Sequence, residues 1–559
     1  MGPDSDAPRP RRGPRPAALW YAAVLAFFLW SAWARVAVQN AYHRGTIETF
    51  IPLAGQPLWT NLRLAYKDRY YPPVHRGLVV LAMHAVGADP AAITRAFWLI
   101  PVGTSLLVVL FYRLRGRPAL GWFAGAAYLL LPFAWEGAVF PVYDYSLTIF
   151  VAASFVLLEI ARRRGGSLDV ALGACLGLGF LVKWTFGLFA GPWALAYALA
   201  GRRPPTATAW KRQAATFLRV AAGFLPLVLP WYAFQLNWHA FLPTVGNSAD
   251  PRFGIFNATF PDSLGGMLGP PPAWSVALVA ALLLALLLQK GEAGVERDDR
   301  VYAVAAGLLP LGCMLVLPHV EERYLSGLVV AVMLAPAFFS PARLMRFVAG
   351  GFLAAVMAGA ILGTVAPDLR HLRNVRADPR RAESPWYNPG AARAEAWFAG
   401  LAARDRDLPI RGVRPHPLYR SQLLPPEDSL GTILYRAGRI PLHMSDIFSY
   451  ADFARDLRQG GQRDAYLLTN CRDAPGCVRP NRERYRYVTA MTSADHPFHE
   501  PGSGRVPTSV GAEPLGADWP AITAAFDLIG QAEIGKETWY LWRPKTGPVA
   551  GPTDPEKKP

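Results

Sequence analysis

The chain has 559 residues, of which 52% are apolar and 17% are charged, with a formal net charge of +17. Several polar-surfaced soluble domains would carry more charge, so the composition argues against that arrangement. The basic residues stand in short clusters between apolar runs rather than along one polar face, which argues against a nucleic-acid-binding protein. Apolar runs of roughly 20 residues predict membrane-spanning helices, because a helix satisfies its own backbone hydrogen bonds in lipid.

The first predicted elements are a basic cytoplasmic segment at 1–16 and a membrane-spanning helix at about 17–38. A signal peptide is the competing interpretation. However, the apolar run is long for one and ends in Trp33-Ala34-Arg35 rather than at a small-residue cleavage site. Residues 39–93 mix aromatics, prolines and charges, so they are predicted to form a long external loop that includes interfacial helices.

Further apolar runs predict ten more membrane-spanning helices. They lie at about 94–112, 119–139, 145–161, 168–185, 187–200, 215–235, 273–289, 301–317, 325–339 and 346–366. Loops rich in Arg and Lys alternate with loops that hold few basic residues, and the basic loops are expected on the cytoplasmic side. The sequence therefore predicts a membrane domain at 17–366 with about eleven spans, and a C-terminal tail on the other side of the membrane.

The tail is predicted to form a soluble α/β domain at 367–545, outside the cytoplasm. It is dense in Arg, Asp, Pro and Gly and contains short β-type runs at 431–434, 465–469 and 538–542. The last residues, 546–559, are rich in Pro, Lys and Glu and are predicted to be disordered. The fold class predicted is a polytopic α-helical protein of the plasma membrane with this soluble domain appended.

Cys471 and Cys477 lie six residues apart in a loop of the tail that contains Pro and Gly. In an oxidising compartment this pair is expected to form a disulfide, with free thiols as the alternative. The spacing alone is weak evidence for a metal site.

Ionisable residues at a membrane mark candidate sites, because each costs roughly 2.5–3.5 kcal/mol at the membrane centre. Asp144 stands in the stretch Pro141-Val142-Tyr143-Asp144, at the predicted external end of a helix. One interpretation is an N-cap, because an Asp at the start of a helix accepts hydrogen bonds from its free N–H groups. The other is a general base at the aqueous face of the membrane.

The predicted external loop holds a second group of candidates, Glu48 and the run Tyr71-Pro72-Pro73-Val74-His75-Arg76. The two prolines favour an extended chain that presents His75 and Arg76 to the membrane surface. Such cations suit a lipid phosphate, but ordinary attraction to anionic headgroups explains them equally well.

Two further cations are predicted near the external side. Lys183 ends the stretch Gly177-Leu178-Gly179-Phe180-Leu181-Val182-Lys183, where it either snorkels to the interface or has a role in a site. Arg323 precedes Tyr324 and offers a forked donor for phosphate, or it pairs with Glu321 or Glu322. No motif of a soluble enzyme competes, since the sequence has no Walker A, GxSxG, HExxH or zinc-type spacing.

In this order, these stretches resemble the GT-C glycosyltransferases, in particular the bacterial branch similar to protein O-mannosyltransferases and the lipid A aminoarabinose transferase. The residues that carry the resemblance, within about 17–366, are Tyr71-Pro72-Pro73-Val74, Arg95, Pro141-Val142-Tyr143-Asp144, Gly177 to Lys183, and Arg323-Tyr324-Leu325.

The resemblance implies inverting transfer of a sugar from a polyprenyl-phosphate donor to a lipid, glycan or protein hydroxyl at the external face of the membrane. A carboxylate, Asp144 or Glu48, would deprotonate the acceptor, while His75, Arg76, Lys183 and Arg323 would bind the lipid phosphate. Tyr71, Tyr143 and Tyr324 adjoin these groups in the sequence. No cofactor is assigned, and a divalent metal is left open.

Two features depart from the family pattern. Members usually carry Asp soon after the first helix, where this chain has Gln39-Asn40, so Glu48 is the nearest substitute. A basic residue often adjoins the Pro-Pro pair, where this chain has Tyr71, so His75 or Arg76 would replace that charge. The alternatives are a transporter or flippase of a lipid-linked glycan, a glycan polymerase or ligase, and a non-catalytic relative that binds the carrier lipid. A transporter is expected to show inverted repeats and polar or broken helices at the midplane, which this sequence does not show.

Overall fold

The computed structural model is mainly helical. It describes residues 16–40, 47–50, 54–67, 72–164, 166, 168–199, 207–235, 260–288, 325–339, 343–402 except 383 and 385, 410–414, 448–449, 466–469, 520, 523–534 and 537–545. The predicted helix at 301–317 lies outside these residues.

The described helices follow the chain in this order: α1 Pro16–Val36, α2 Ile47–Phe50, α3 Leu58–Lys67, α4 Pro73–Val86, α5 Pro90–Ala96, α6 Leu99–Leu114, α7 Pro118–Leu130, α8 Pro132–Gly137, α9 Tyr143–Arg164, α10 Asp169–Phe180, α11 Phe186–Leu199, α12 Ala207–Gln235, α13 Phe260–Leu268, α14 Pro272–Leu288, α15 Ser326–Leu334, α16 Arg343–Ala360, α17 Ala366–Ala377 and α18 Pro389–Ala402. A 3₁₀ turn at Ala335–Phe338 follows α15, and a π-helical turn at Ile361–Val365 joins α16 to α17.

Five helices in the described residues are long and apolar enough to cross a membrane. They are Pro16–Val36, Pro90–Leu114, Tyr143–Arg164, Gln213–Ala233 and Met345–Ala377. Shorter apolar helices, such as α7, α10 and α14, accompany them. These helices support the prediction of a helical protein with several membrane spans.

The predicted external loop contains four short helices, α2 to α5, and α4 and α5 are joined at Gly87, Ala88 and Asp89. Asp89 caps α5 by accepting hydrogen bonds from Ala91 N and Ala92 N at 3.2 and 3.1 Å. Ile47 and Phe50 of α2 are buried in one cluster with Val79, Val80 and Met83 of α4. The packing holds this loop as a folded layer on the start of α6.

The centre of the membrane domain is formed by α1, α6, α7 and α9. Gly125 lets α7 approach its neighbours, because a Cβ added there would lie 2.6 Å from Val109 Cγ2 and 3.1 Å from the Tyr21 ring. Small residues at such contacts are typical of membrane helices, whose association depends on close packing. Helices α10 and α12 also pack closely, because a Cβ added at Gly173 of α10 would overlap the Val220 backbone and one at Gly223 of α12 would overlap the Val170 backbone.

The helix predicted at 119–139 is two helices in the structure. Leu131 has φ −57° and ψ 142°, an extended conformation, and Pro132 begins α8. The break follows from Pro132, since proline disfavours the helical conformation in the residue before it. After α8 the chain turns through 138–142 and enters α9 at Tyr143, so the break sets the corner that precedes Asp144.

The helix predicted at 346–366 extends to Ala377 as α16, the π-helical turn and α17. The turn lies where the α13–α14 connection crosses this long helix. Gly269 has φ 96°, which favours glycine, and a Cβ added there would overlap Ala360. The sequence analysis also did not predict α13, because residues 236–272 contain several prolines and glycines.

Basic residues gather around Glu159 at the C-terminal end of α9, opposite Asp144. The Glu159 carboxylate lies 2.9 Å from Arg163 Nη2, 3.4 Å from Arg115 Nη1 and 3.7 Å from Arg162 Nη1. Glu159 follows Asp144 by 15 residues, or about 22 Å along the helix axis, so the cluster and Asp144 lie near opposite ends of α9. The cluster is on the side that the arginine pattern predicts to be cytoplasmic.

The described residues of the C-terminal region include five strands: β1 Ile410–Arg414, β2 Phe448–Ser449, β3 Tyr466–Thr469, β4 Phe526–Ile534 and β5 Glu537–Pro544. Their order in the sheet is β2-β1-β3-β5-β4. β1 pairs in parallel with β2 and β3, whereas β5 is antiparallel to β3 and β4. The strands β3 and β5 coincide with two predicted β-type runs, and the run at 431–434 lies outside the described residues. Helix α18 covers the sheet at Gly530, where an added Cβ would lie 2.6 Å from Trp397 Cζ2.

Candidate functional site

Three chain segments meet at the N-terminal end of α9: the start of α4, the start of α9 and the stretch 181–185 between α10 and α11. The backbone ties two of them together, because Val74 N donates to Leu181 O at 3.0 Å. The sequence analysis placed its candidates on these three segments separately. The structure brings four of them, His75, Arg76, Asp144 and Lys183, to this one corner.

Asp144 and Lys183 form a direct ion pair. Lys183 Nζ lies 2.7 Å from Asp144 Oδ1, and the two side chains are 13% and 6% exposed, respectively. Asp144 lies in the first turn of α9, while Lys183 lies three residues beyond the end of α10. Neither residue simply snorkels to the surface, because both are largely buried and each charge faces the other.

His75 is fully buried, which contradicts the expectation that the Pro-Pro pair presents it to the membrane surface. Pro72 is extended with φ −58° and ψ 151°, but Pro73 already begins helix α4, and the helix turns His75 inward. His75 Nδ1 lies 2.7 Å from Ser146 Oγ, and its ring lies 4.3 Å from the Tyr143 ring. His75 therefore packs α4 against the first turn of α9.

Arg76 is half-buried and donates from Nε to the hydroxyl of Tyr143 at 2.6 Å. Tyr143 is the residue before Asp144, so this bond fixes a guanidinium next to the carboxylate-bearing turn. Two cations, Arg76 and Lys183, thus reach the start of α9 from two different segments. Charged donors of this kind can hold a phosphate group, and a guanidinium offers several N–H groups in one plane.

Side-chain donors also hold the turn at 138–142, through which the chain enters α9. Gln39 Nε2 donates to Val139 O at 2.8 Å, and Trp98 Nε1 donates to Ala138 O at 2.8 Å. These carbonyls follow the last turn of α8, where helical hydrogen bonds run out. The sequence analysis identified Gln39 as a missing acid; in the structure it is a buried amide that fixes the corner.

Asn40 joins the end of α1 to the segment before α18. Its Nδ2 donates to Asn388 O at 2.7 Å, and Asn388 N donates to its Oδ1 at 2.7 Å. A carboxylate at this position could accept the second bond but could not donate the first. The amide at 40 therefore has a structural reason in this chain.

A buried ion pair that the sequence analysis missed lies behind the corner. Arg35, the last basic residue of α1, is fully buried, and its Nη1 lies 3.1 Å from Asp368 Oδ2 and 3.0 Å from Trp135 O. The guanidinium also lies over the Trp135 ring, with Cζ 4.3 Å from the centroid. An arginine that ends an apolar helix was the available signal, but its partner is 333 residues away.

Several expected site residues are not described. Tyr71, Arg323, Tyr324, Cys471 and Cys477 lie outside the described residues. Glu48 belongs to α2, but the structure describes only its backbone. Arg95 ends α5 and lies 3.5 Å from Asp89, on the exposed side of that short helix.

In the part of the chain that the structure describes, no group of three or more His, Cys, Asp or Glu side chains is placed to hold a metal ion. The described residues around Asp144 do not fit a divalent cation, because the carboxylate faces the Lys183 ammonium.

No protein-family model and no curated protein matches the chain. Among solved structures, it is similar to ArnT from Cupriavidus metallidurans bound to undecaprenyl phosphate, at 13% identity and a TM-score of 0.53, over 94% of this chain and 98% of that one. The structure of ArnT without the lipid gives 14% identity and a TM-score of 0.52 over the same shares.

A weaker likeness, with a TM-score of 0.42 and 13% identity, is to the oligosaccharyltransferase AglB from Archaeoglobus fulgidus in complex with an inhibitory peptide and a dolichol-phosphate; it covers 84% of this chain and 70% of that one. The likeness to ArnT extends over almost the full length of both chains, and it shows that this chain has the fold of ArnT.

Proposed function

We propose that this protein transfers a sugar from a polyprenyl-phosphate donor to a hydroxyl group of a lipid, glycan or protein, at the external face of the cytoplasmic membrane. The observation that carries the proposal is the corner at the start of α9, where the Asp144 carboxylate, Lys183 and Arg76 come together at one end of the membrane helices. The fold likeness to ArnT, which was crystallised bound to undecaprenyl phosphate, supports a donor linked to a polyprenyl phosphate.

The reaction needs a base for the acceptor and cations for the leaving group. Asp144 takes the proton from the acceptor hydroxyl, and the oxygen of that hydroxyl attacks the anomeric carbon of the sugar. The bond from that carbon to the phosphate oxygen breaks, and the polyprenyl phosphate leaves with the electron pair. Attack opposite the leaving group inverts the anomeric configuration. Lys183 and Arg76 stabilise the negative charge that develops on the phosphate.

The other candidates have supporting roles in the proposal. His75 and Tyr143 position the start of α9, because His75 is buried against Ser146 and the Tyr143 ring. Glu48 is the second candidate base. Arg323 is proposed as a further phosphate ligand, with Tyr71 and Tyr324 beside the site.

The proposed topology has about eleven spans, with the soluble α/β domain at 367–545 outside the cytoplasm. Its support is the alternation of basic loops and the arginine cluster around Glu159 at the end of α9 opposite the site. A Cys471–Cys477 disulfide belongs to this proposal, because the external compartment is oxidising.

Mass spectrometry of cells with and without the protein first identifies candidate acceptors in the cell envelope. The test then measures sugar transfer by the purified protein in lipid nanodiscs, which is supplied with these acceptors and a panel of synthetic polyprenyl-phosphate sugars. We expect sugar to leave the carrier and appear on one acceptor. Asp144→Asn is expected to slow turnover about 10²–10⁴-fold, the usual contribution of a general base.

Asp169→Asn is the matched control. Asp169 is also buried and paired, with Arg219 Nη2 at 2.8 Å, but it begins α10, at the end opposite Lys183. This variant is expected to retain transfer. In sealed proteoliposomes, movement of the intact lipid-linked sugar across the bilayer without cleavage would instead establish the flippase alternative.

A further inference from the structure

We propose that Lys183 exchanges partners during the reaction: it leaves Asp144 for the phosphate of the incoming donor and thereby releases the carboxylate to act as a base. The inference rests on the proposed function and deepens it. It makes deprotonation of the acceptor dependent on a bound donor.

The ion pair itself is the first argument. Lys183 Nζ lies 2.7 Å from Asp144 Oδ1, so this carboxylate oxygen already accepts a charged hydrogen bond. Both side chains are mostly buried, so water screens the attraction between the two charges little. In this arrangement Asp144 and Lys183 bind each other, so neither the base nor this phosphate ligand is available to a substrate.

The location of Lys183 is the second argument. Residues 181–185 form turns between α10 and α11 rather than regular helix, and Lys183 N reaches Gly179 O only at 3.3 Å. Lysine also carries its charge on a flexible four-carbon stem, so the ammonium can turn to a new partner without moving a helix. Asp144, in contrast, is fixed within the first turn of α9.

Arg76, the second cation near the start of α9, indicates where the phosphate that replaces Asp144 as the partner of Lys183 would bind. Arg76 is held at Tyr143, the neighbour of Asp144, by the bond of 2.6 Å to its hydroxyl. In the proposal the donor phosphate binds between Arg76 and Lys183. Its two non-bridging oxygens share one negative charge, so one can accept from the guanidinium while the other competes with the carboxylate for the ammonium. Once Lys183 has turned, Asp144 is a buried carboxylate that lacks this counter-ion, and a proton from the acceptor hydroxyl neutralises it.

The chemistry balances without another reactant. Lys183 keeps its proton and changes only its hydrogen-bond acceptor. The proton that Asp144 receives comes from the acceptor, and the negative charge leaves on the polyprenyl phosphate, which is held by Lys183 and Arg76. Release of the lipid phosphate and loss of the proton from Asp144 restore the ion pair.

A double-mutant cycle on phosphate binding tests the exchange without requiring turnover. The full-length protein in nanodiscs is titrated with farnesyl phosphate, and the Kd is measured for wild type, Asp144→Asn, Lys183→Met and the double variant. Lys183→Met is expected to raise the Kd about tenfold or more, as for other close charge pairs. Asp144→Asn is expected to lower the Kd about tenfold, because the phosphate no longer competes for the ammonium.

The decisive comparison is the effect of Asp144→Asn in the Lys183→Met background, where the gain in affinity is expected to vanish. An equal gain in both backgrounds would mean that Asp144 acts by charge repulsion alone, and the exchange would be overturned. So would a Lys183→Met variant that binds farnesyl phosphate as tightly as wild type. Lys183→Arg, which keeps the charge, is expected to bind within about threefold of wild type and guards against a mere folding defect.

Two further results separate this inference from the proposed function. If wild-type protein fails to bind farnesyl phosphate, the lipid-phosphate site and the proposed function fall together with the exchange. If it binds and transfers sugar while the cycle shows no coupling, only the exchange fails. Arg219→Met, which unpairs Asp169 at the start of α10, is expected to leave the Kd unchanged.

Discussion

Asn40 and Asn388 hydrogen-bond reciprocally: the side-chain amide of Asn40 donates to the Asn388 carbonyl and accepts from the Asn388 N–H, both at 2.7 Å. Asn40 follows α1, and Asn388 precedes α18, the helix that covers the C-terminal sheet. The pair therefore joins the first membrane helix to the region before that sheet. An amide is required because it both donates and accepts.

Asn40→Asp is expected to destabilise the protein, although it restores the acid found at this place in many GT-C enzymes. The carboxylate would face the Asn388 carbonyl with no proton to donate, at a cost of about 1–3 kcal/mol. The measurement is the midpoint of thermal unfolding in detergent, together with transfer activity. We expect a lower midpoint and no gain in turnover, whereas a faster enzyme would mean that position 40 serves as a base after all.

Arg35→Met is expected to cost about 3–5 kcal/mol, because it leaves the Asp368 carboxylate buried without its partner. The two groups lie 3.1 Å apart, with Arg35 fully buried. Asp368→Leu is expected to destabilise in the same way, and the double variant is expected to unfold at a higher temperature than either single one. A double variant whose loss equals the sum of the single losses would show that the pair is not coupled.

Part of this site could be predicted from the sequence. Asp144 and Lys183 stand near predicted external ends of helices, and His75 and Arg76 stand in the predicted external loop. A membrane places helix ends and loops of one side in the same layer. Knowing this layer limits which residues could contact one another, but it does not determine which pairs form. Whether Lys183 meets Asp144 or a headgroup depends on how α10 packs beside α9, which the pattern of apolar residues does not specify.

Other features of the site could be recognised only from the three-dimensional structure. His75 is inward because Pro73 starts a helix instead of extending the chain, and both conformations suit a Pro-Pro pair. The contact of Arg35 with Asp368 joins residues 333 positions apart, and it depends on a helix that continues through a π-helical turn past its predicted end. The break within the helix predicted at 119–139 differs from these features, because Pro132 is a signal for it in the sequence itself.

Tyr143→Phe is expected to raise the KM for the donor about tenfold while kcat changes less. The substitution keeps the ring against His75 but removes the hydroxyl that accepts from Arg76 Nε at 2.6 Å. A hydrogen bond to a charged group contributes about 1.5–3 kcal/mol, and without it the guanidinium is held less firmly in position for the phosphate. The measurement is steady-state transfer with varied donor.

Tyr112→Phe is the control for that variant. Its hydroxyl donates to Met333 O at 2.8 Å in the interior, near the end of α6 opposite the proposed site. Removal of this hydroxyl is expected to lower stability without a change in the donor KM. Equal shifts of KM in both variants would point to general loosening of the fold rather than to a role of Arg76.

Trp98→Phe is expected to lower kcat several-fold while the donor KM stays near its wild-type value. The indole N–H holds Ala138 O at 2.8 Å, on the corner from which the chain enters α9, so its loss loosens the turn that aims Asp144. Small errors in the position of a reacting group reduce the rate more than binding. Trp122→Phe, which changes a ring packed 5.0 Å from that of Tyr21, is the matched control, and the same loss of kcat there would contradict a positioning role for Trp98.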